Sequence, residues 1–353
     1  MRALLLAGLI ALTATAALAD PRVRFESRGV IAPPAGVATK DFGGLSGIDY
    51  DPTLKRYVAI SDDTSQHGAA RFYEARIALG SARMTITATH TLTNESGAPF
   101  PTRGTGGEQA DGESIRVDPM TGFRLWSSEG DINAGIPPAL RWTNVDGTFR
   151  NRLPLPAAMT AGVRHNLAYE GVAFTPSGDL WVGLENPAAQ DGPITTPQAG
   201  ALTRLTLLDR FGAIRRQVAY PLDPIWKATP GKAADAGLSE ILWLDDQRLL
   251  VLERAGVQIE GTNYAFHCRL YLADLSRASD VTDVARLAGA DIRLTAKTLL
   301  ADFDTVPGGP VGNLEGMSWA PKGRFGPRRI VFVTDNNFDP KWASTLLVYK
   351  FWP

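Results

Sequence analysis

Thiols and imidazoles are scarce in this 353-residue chain: Cys268 is the only cysteine, and His67, His90, His165 and His267 are the only histidines. A single cysteine excludes an intramolecular disulfide and a thiolate zinc cage, and the histidines show no HExxH-type spacing. Charge of one sign is lacking as well. With 36 basic against 37 acidic residues and a formal charge of −1, there is no cationic excess to neutralise a phosphate backbone, so nucleic acid is not an expected partner. Beyond residue 19 no apolar run is long enough to cross a bilayer. No linker-like shift in composition divides the chain, and 44% hydrophobic with 21% charged residues suits one globular body with a sizeable core.

What is present begins with a leader. Arg2, the apolar run Ala3 to Leu12 and the small-x-small triplet Ala17-Leu18-Ala19 before Asp20 predict a signal peptide over residues 1–19. Residues 20–353 then form the exported chain, periplasmic or secreted.

A phrase recurs five times along that chain: a small or acidic residue, a short apolar strand, a turn, a second apolar strand, then acidic or amide residues. The copies start at Leu45, Gly112, Tyr169, Leu238 and Leu314, spaced 67, 57, 69 and 76 residues apart. Turn chemistry between the paired strands is explicit at Asp51-Pro52, Asp118 to Gly122, Pro176 to Asp179, Asp245-Asp246 and Pro321 to Gly323. Two further β-like runs follow each hairpin except the last, which has one. Four strands per repeat is the unit of a propeller blade. The expected fold is therefore an all-β propeller of five four-stranded blades, with Arg22 to Ile31 supplying the missing outer strand and joining the two ends of the chain. Six blades is the alternative, the extra one falling between Ser239 and Glu315, where Asp280 to Asp291 also suggests a short helix. Trp126, Trp181, Trp243 and Trp319 fall in the hairpin strands and are assigned to packing between blades. The long loops Asn94 to Ala110 and Ala188 to Gly200 either bind something or cover an edge.

In a propeller the first strand of each blade lines the central channel and the second runs antiparallel beside it. The start of one thus lies near the end of the other, and repetition gathers acids at one channel mouth: Asp62, Asp63, Glu113, Glu129, Asp131, Glu170, Glu185, Glu240, Glu253, Glu315 and Asp335, with Asn186, Asn336 and Asn337. Carboxylates so crowded raise one another's pKa unless cations intervene. Oxygen donors without Cys or His suit Ca²⁺. The expected metal ligands are Glu113, Glu170, Glu240, Glu315, Asp62, Glu185 and Asp335; pairing with arginine or turn capping is the alternative for any one of them. His165 sits where a mouth base could sit. Arg71, Arg164 and Arg254, with Arg103 and Lys341, lie near rim positions suited to gripping an anion. No GxSxG elbow is present.

Phe42-Gly43-Gly44-Leu45-Ser46-Gly47-Ile48-Asp49-Tyr50-Asp51, Ala59 to Asp63, Asn166 to Gly171, Leu238-Ser239-Glu240-Ile241, Asn313 to Met317 and Thr334 to Phe338, taken together, resemble the bacterial phytase-like family, described by esterase-like activity. The resemblance spans nearly the whole chain after the leader and implies an exported propeller acting as a Ca²⁺-dependent ester or phosphoester hydrolase. It supplies no catalytic set to carry over. A looser likeness to gluconolactonase-like propellers places metal on Glu113 and Glu170. The expected function is a metal-dependent hydrolase of phosphate or carboxylic esters, with Glu170, Glu113 and His165 as catalytic candidates and Arg71, Arg164 and Arg254 holding a small-molecule substrate. The alternative is a non-catalytic binding module with structural Ca²⁺, whose rim or loops hold a cell-envelope ligand.

Overall fold

The computed structural model describes residues 21–353; the expected signal peptide lies outside the described residues. The first strand, β1 (Arg22–Val30), belongs to the last blade. Blade 1 is β2 (Leu45–Asp51), β3 (Arg56–Ser61), β4 (Arg71–Ala78) and β5 (Arg83–Thr91). Blade 2 is β6 (Gly112–Val117), β7 (Arg124–Ser128), β8 (Ala139–Thr143) and β9 (Phe149–Leu153). Blade 3 is β10 (Tyr169–Phe174), β11 (Leu180–Leu184), β12 (Ala201–Leu208) and β13 (Ile214–Leu222). Blade 4 is β14 (Ala234–Asp245), β15 (Arg248–Glu260), β16 (Asn263–Asp274) and β17 (Ala296–Asp302). Blade 5 is β18 (Asn313–Trp319), β19 (Arg328–Asp335), β20 (Thr345–Trp352) and β1, which pairs antiparallel with β20 from Arg22 opposite Trp352 to Val30 opposite Thr345. The protein is a five-bladed, all-β propeller; among the described residues its one α-helix is the single turn Ala157–Thr160.

The sequence pattern explains the ring. Inner strands such as β6 are buried along their whole length, because blades flank them on both faces, whereas the outer strand β5 alternates exposed and covered residues. Apolar side chains form one cluster at each blade junction. Val58, Ile60 and Phe72 of blade 1 meet Ile115 and Trp126 of blade 2, and equivalent clusters fill the other four junctions. Trp181 packs between blades 3 and 4, and the Trp319 indole N–H donates to the Trp243 carbonyl across blades 4 and 5.

The long interval in the fourth repeat holds no sixth blade. It is taken up by elongation of β14, β15 and β16 to 12 or 13 residues and by a loop over 275–295. That loop has turns where a helix was expected at Asp280 to Asp291. It hydrogen-bonds through Val281 N to Gln217 and Thr295 N to Ala219, covering the outer edge of blade 3.

Candidate functional site

All five inner strands break register at the same place. The pairing slips by one residue at Ser46, Glu170, Ser239 and Glu315, and between Gly112 and Ile115 around Glu113. A bulge re-aims the extra residue, and here it is the repeated glutamate or its serine counterpart. The second-strand residue facing the position two before the bulge is equally regular. Asp62, Glu129 and Glu185 each donate a backbone N–H across to Gly44, Asp111 and Ala168, and Asp335 lies opposite Asn313. In blade 4 that position is Arg254, opposite Gly237.

These rings converge on an open cavity of about 320 Å³ at the channel mouth, lined by the carboxylates of Asp62, Asp63, Asp111, Glu113, Glu129, Glu170, Glu315 and Asp335 and by the cations Arg103 and Arg254. Three carboxylate triads form in its wall, Asp62–Glu315–Asp335, Asp111–Glu113–Glu129 and Glu129–Glu170–Glu185, with Glu185 set behind the lining, each with an oxygen from every member within 4.8 Å of the others. Glu129 belongs to two of them. Arg254 stands among the acids, its Nη2 3.2 Å from Glu185 and its Nε 3.9 Å from Glu315. Among the described residues, Glu315 Oε2 and Asn313 Oδ1 are buried without a hydrogen-bond partner.

Burial is the largest cause of the shifted acidities, and repulsion between neighbours adds to it. Asp111, beside Glu129, is pushed up to about 8 and Glu315, beside Asp335, up to about 7. Asp62, Glu113 and Glu170 lie well above the carboxylate range for the same reasons, and Glu185 does so despite Arg254. With Asp63 paired to buried Arg71, seven acids face Arg103 and Arg254, which leaves a deficit of positive charge. Oxygen-only donors, triads at coordinating separation and a buried carboxylate oxygen without a partner fit a hard divalent cation.

A family model described as Phytase-like, esterase-like activity of phytase, matches residues 40–338. The chain belongs to the phytase-like family. At family level that makes it a phytase-like hydrolase. Solved structures similar to this phytase-like chain include the α-L-arabinanase of Penicillium chrysogenum complexed with arabinobiose, with a TM-score of 0.43 and 12% identity over 87% of this chain and 79% of that one. A protein of unknown function from Dyadobacter fermentans has a TM-score of 0.40 and 10% identity over 94% and 99%. No curated protein matches the phytase-like chain.

Of the expected site residues, the phytase-like ring brings Asp62, Glu113, Glu170, Glu185, Glu315, Asp335 and Arg254 together in these triads and beside them. Four others are placed elsewhere. Glu240 follows the bulge instead of occupying it, so it turns into the channel below the mouth. There it pairs with Arg116 Nη2 at 2.7 Å and accepts from Ser114 Oγ and the Val172 and Ile241 amides. Arg116 also donates to the carbonyls of Ile48, Val172 and Ile241, so the pair plugs the axis by tying blades 1 to 4. Arg71 is buried against Asp63 at 2.7 Å and the Tyr73 hydroxyl, and Arg164 donates to the Pro187 and Gly192 carbonyls. His165 lies outside the cavity lining, with Nδ1 3.6 Å from Asp131, itself the cap of the 3-10 turn Ile132–Ala134. Glu253, next to Arg254, faces Tyr220 and Lys297.

Asp111 and Glu129 join the triads without being among the expected metal ligands. Asp111 lies two positions before Glu113, as Asn313 does before Glu315, a recurrence that was available in the sequence. Arg103, expected as a rim cation suited to gripping an anion, lines the mouth. The loop over 94–110 carries it, fixed by Arg103 N to Thr64 O and by Phe100 packed at the blade 1–2 junction, and its guanidinium reaches Asp131 at 3.4 Å and Asp111 at 3.9 Å. The loop over 188–200 covers an edge, held by Asp191 on Arg204 and Thr195 on the Ala236 carbonyl.

Proposed function

We propose that this chain is an exported hydrolase of phosphate or carboxylic esters that works with a divalent cation, Ca²⁺ by the chemistry of its donors. The observation that carries the reading is the arc of three carboxylate triads at an open mouth, with Glu315 Oε2 buried and unpartnered. Glu113, Glu170, Glu185, Glu315, Asp62 and Asp335 would hold the metal, with Asp111 and Glu129 added. When bound, the cation offsets the acids and polarises the scissile group.

The protein's own residues divide the remaining work. Glu170 and Glu113, on bulges facing the cavity, are candidates for metal or base: whichever is left off the metal would take a proton from an attacking water. Of the arginines expected to grip an anion, Arg103, partly exposed at the rim, would meet an anionic head group, since Arg71 and Arg164 are tied into the fold. His67, stacked on Phe338 with ring centroids 4.0 Å apart, lines the same cavity and is placed to pass a proton at its rim. Export rests on the leader at residues 1–19. Among the described residues no helix is long and apolar enough to cross a membrane.

The test is thermal unfolding of chelator-treated protein titrated with Ca²⁺ against Mg²⁺, followed by a panel of phosphomonoesters, lactones and aryl esters. A Ca²⁺-specific rise together with turnover abolished by chelator supports the hydrolase. A rise without turnover supports the binding module with structural metal, and the absence of any rise refutes a metal at the mouth.

A further inference from the structure

Beside the acidic mouth lies a second cleft of a different character. The hairpin of β15 and β16 extends past the blade and leans on the loop over 336–342 that joins β19 to β20. Between them is a cavity of about 410 Å³ lined by Ile259, Tyr264, Phe266, Asn337, Lys341 and Trp342. Phe266 and Trp342 meet edge to face at 6.0 Å, and Ile259 is 58% exposed. The extension is built to stay in place: Ala255 and Val257 pack on Ile225 and Ala236, and Lys341 Nζ donates to Asn263 Oδ1 at 2.7 Å.

Asn337 lines both cavities, so the two share a wall there. The segment that links them is held in a demanding conformation. Asn337 and Phe338 have φ of 50° and 51°, a left-handed pair that bulky residues rarely adopt. It is held by Asn337 N to Asp335 Oδ1 at 2.7 Å and Phe338 N to Asn336 Oδ1 at 3.1 Å. Asp335 of one triad therefore fixes the wall of the neighbouring cleft. Strained backbone of this kind concentrates at functional sites.

Charge narrows what the joint site can hold. Among the described residues, the cations at the mouth are Arg103 and Arg254, both already facing acids, and Lys341 is the one cation lining the cleft. A molecule with several phosphates would need offsetting charge in both halves, whereas a cation at the triads serves only the mouth and the cleft sets Asp339 beside Lys341. A molecule with one polar head and a flat apolar remainder matches both halves, since aromatic walls favour a ring in stacked or edge-on contact.

We propose that the cleft is the leaving-group subsite of the ester site, taking the aromatic moiety of an aryl monoester whose polar head lies at the mouth. This rests on the hydrolase reading above. Hydrolysis there breaks the bond from the acyl carbon or phosphorus to the aryl oxygen. Water supplies the new oxygen on the acid and the proton on the released aryl alcohol.

The probe is 2-naphthol, a leaving group that needs neither metal nor turnover, measured by calorimetry on the whole protein. Saturable binding is expected, weakened about tenfold by Trp342→Ala or Phe266→Ala, corresponding to one lost aromatic contact with its buried area. Both side chains lie outside the junction clusters, so unfolding temperature should stay within about 2 °C. With 2-naphthyl and methyl esters, the variants should raise KM for the first alone. Naphthol that binds both variants as tightly as the unmodified protein, or does not saturate, overturns the subsite even if esters are hydrolysed. Naphthol bound as expected without hydrolysis of any ester retains the aryl cleft and defeats the hydrolase reading.

Discussion

Glu170 and Glu240 look interchangeable in the sequence, each near the start of a blade's first strand, and their surroundings are opposite. Glu170 occupies the bulge and shares a triad with Glu129 and Glu185, whereas Glu240 is one residue beyond it and has Arg116 as partner. A strand turns alternate residues to opposite sides, so one position changes everything a side chain meets. The same offset separates Glu253 from Arg254. Burial pushes Glu240 up to about 8 against the pull of Arg116, so above that pH Glu240→Gln should leave Arg116 buried without a counter-charge and lower stability by about 3 kcal/mol, with or without divalent cation. Glu170→Gln should do the reverse, raising the unfolding temperature of chelated protein by relieving repulsion while shrinking the rise that Ca²⁺ gives. Chemical and thermal unfolding of the two variants checks this; matching behaviour would mean that both glutamates do the same job. The motif was legible, but its phase in blade 4 was not, because Ser239-Glu240 fits the phrase as well as Glu170-Gly171 when pairing register is unknown.

At the scale of the strand, the bulge and the residue after it act as a unit. That next residue is Gly47, Gly171 and Gly316 in three blades, and the reason is proximity, not turn geometry. A Cβ on Gly171 would lie 2.7 Å from Ile241 N and 3.0 Å from the Glu240 carbonyl carbon, on the backbone of the neighbouring inner strand. The inner strands thus close around the axis tightly enough to hold the triads together. Gly171→Ala should destabilise by about 1–3 kcal/mol, the usual cost of overpacking. Gly80→Ala, where a Cβ meets nothing within 4 Å, should be neutral or slightly stabilising. Urea midpoints measure both, and equal shifts would remove the close-approach argument. Strand pairs and turns were readable here because Asp, Pro and Gly punctuate every hairpin. The long β14–β15–β16 extension was not, since hydrophobic runs give the length of a strand without saying whether it stays within its blade or projects beyond it.

For the whole molecule, closure and charge oppose one another. The ring is shut by β1 against β20 and by the Glu26 to Arg329 ion pair at 2.6 Å, and closure gathers acids that repel. The five-blade count and the closing strand were legible, because the strands of five repeats are complete only when the N-terminal run is added. The depth of the acids was not, since burial depends on which loops roof the mouth. That burial sets the pH dependence. Asp111 and Glu315 are pushed up to about 8 and about 7, by burial first and by Glu129 and Asp335 next, whereas an unfolded chain titrates such groups near pH 4. Between those limits the metal-free folded state keeps protons that the unfolded state has released. Its stability is then greatest below about pH 4 as far as these groups are concerned, and falls as pH rises through about 7 to 8. A cation that needs deprotonated ligands binds more tightly over the same range, which opposes the fall. Unfolding temperature followed from about pH 5 to about pH 8 should therefore drop in chelator and stay level or rise with Ca²⁺. A chelated protein that gains stability across that window would show that Arg254 and Arg103 already neutralise the ring, and the metal at the mouth would lose its physical basis.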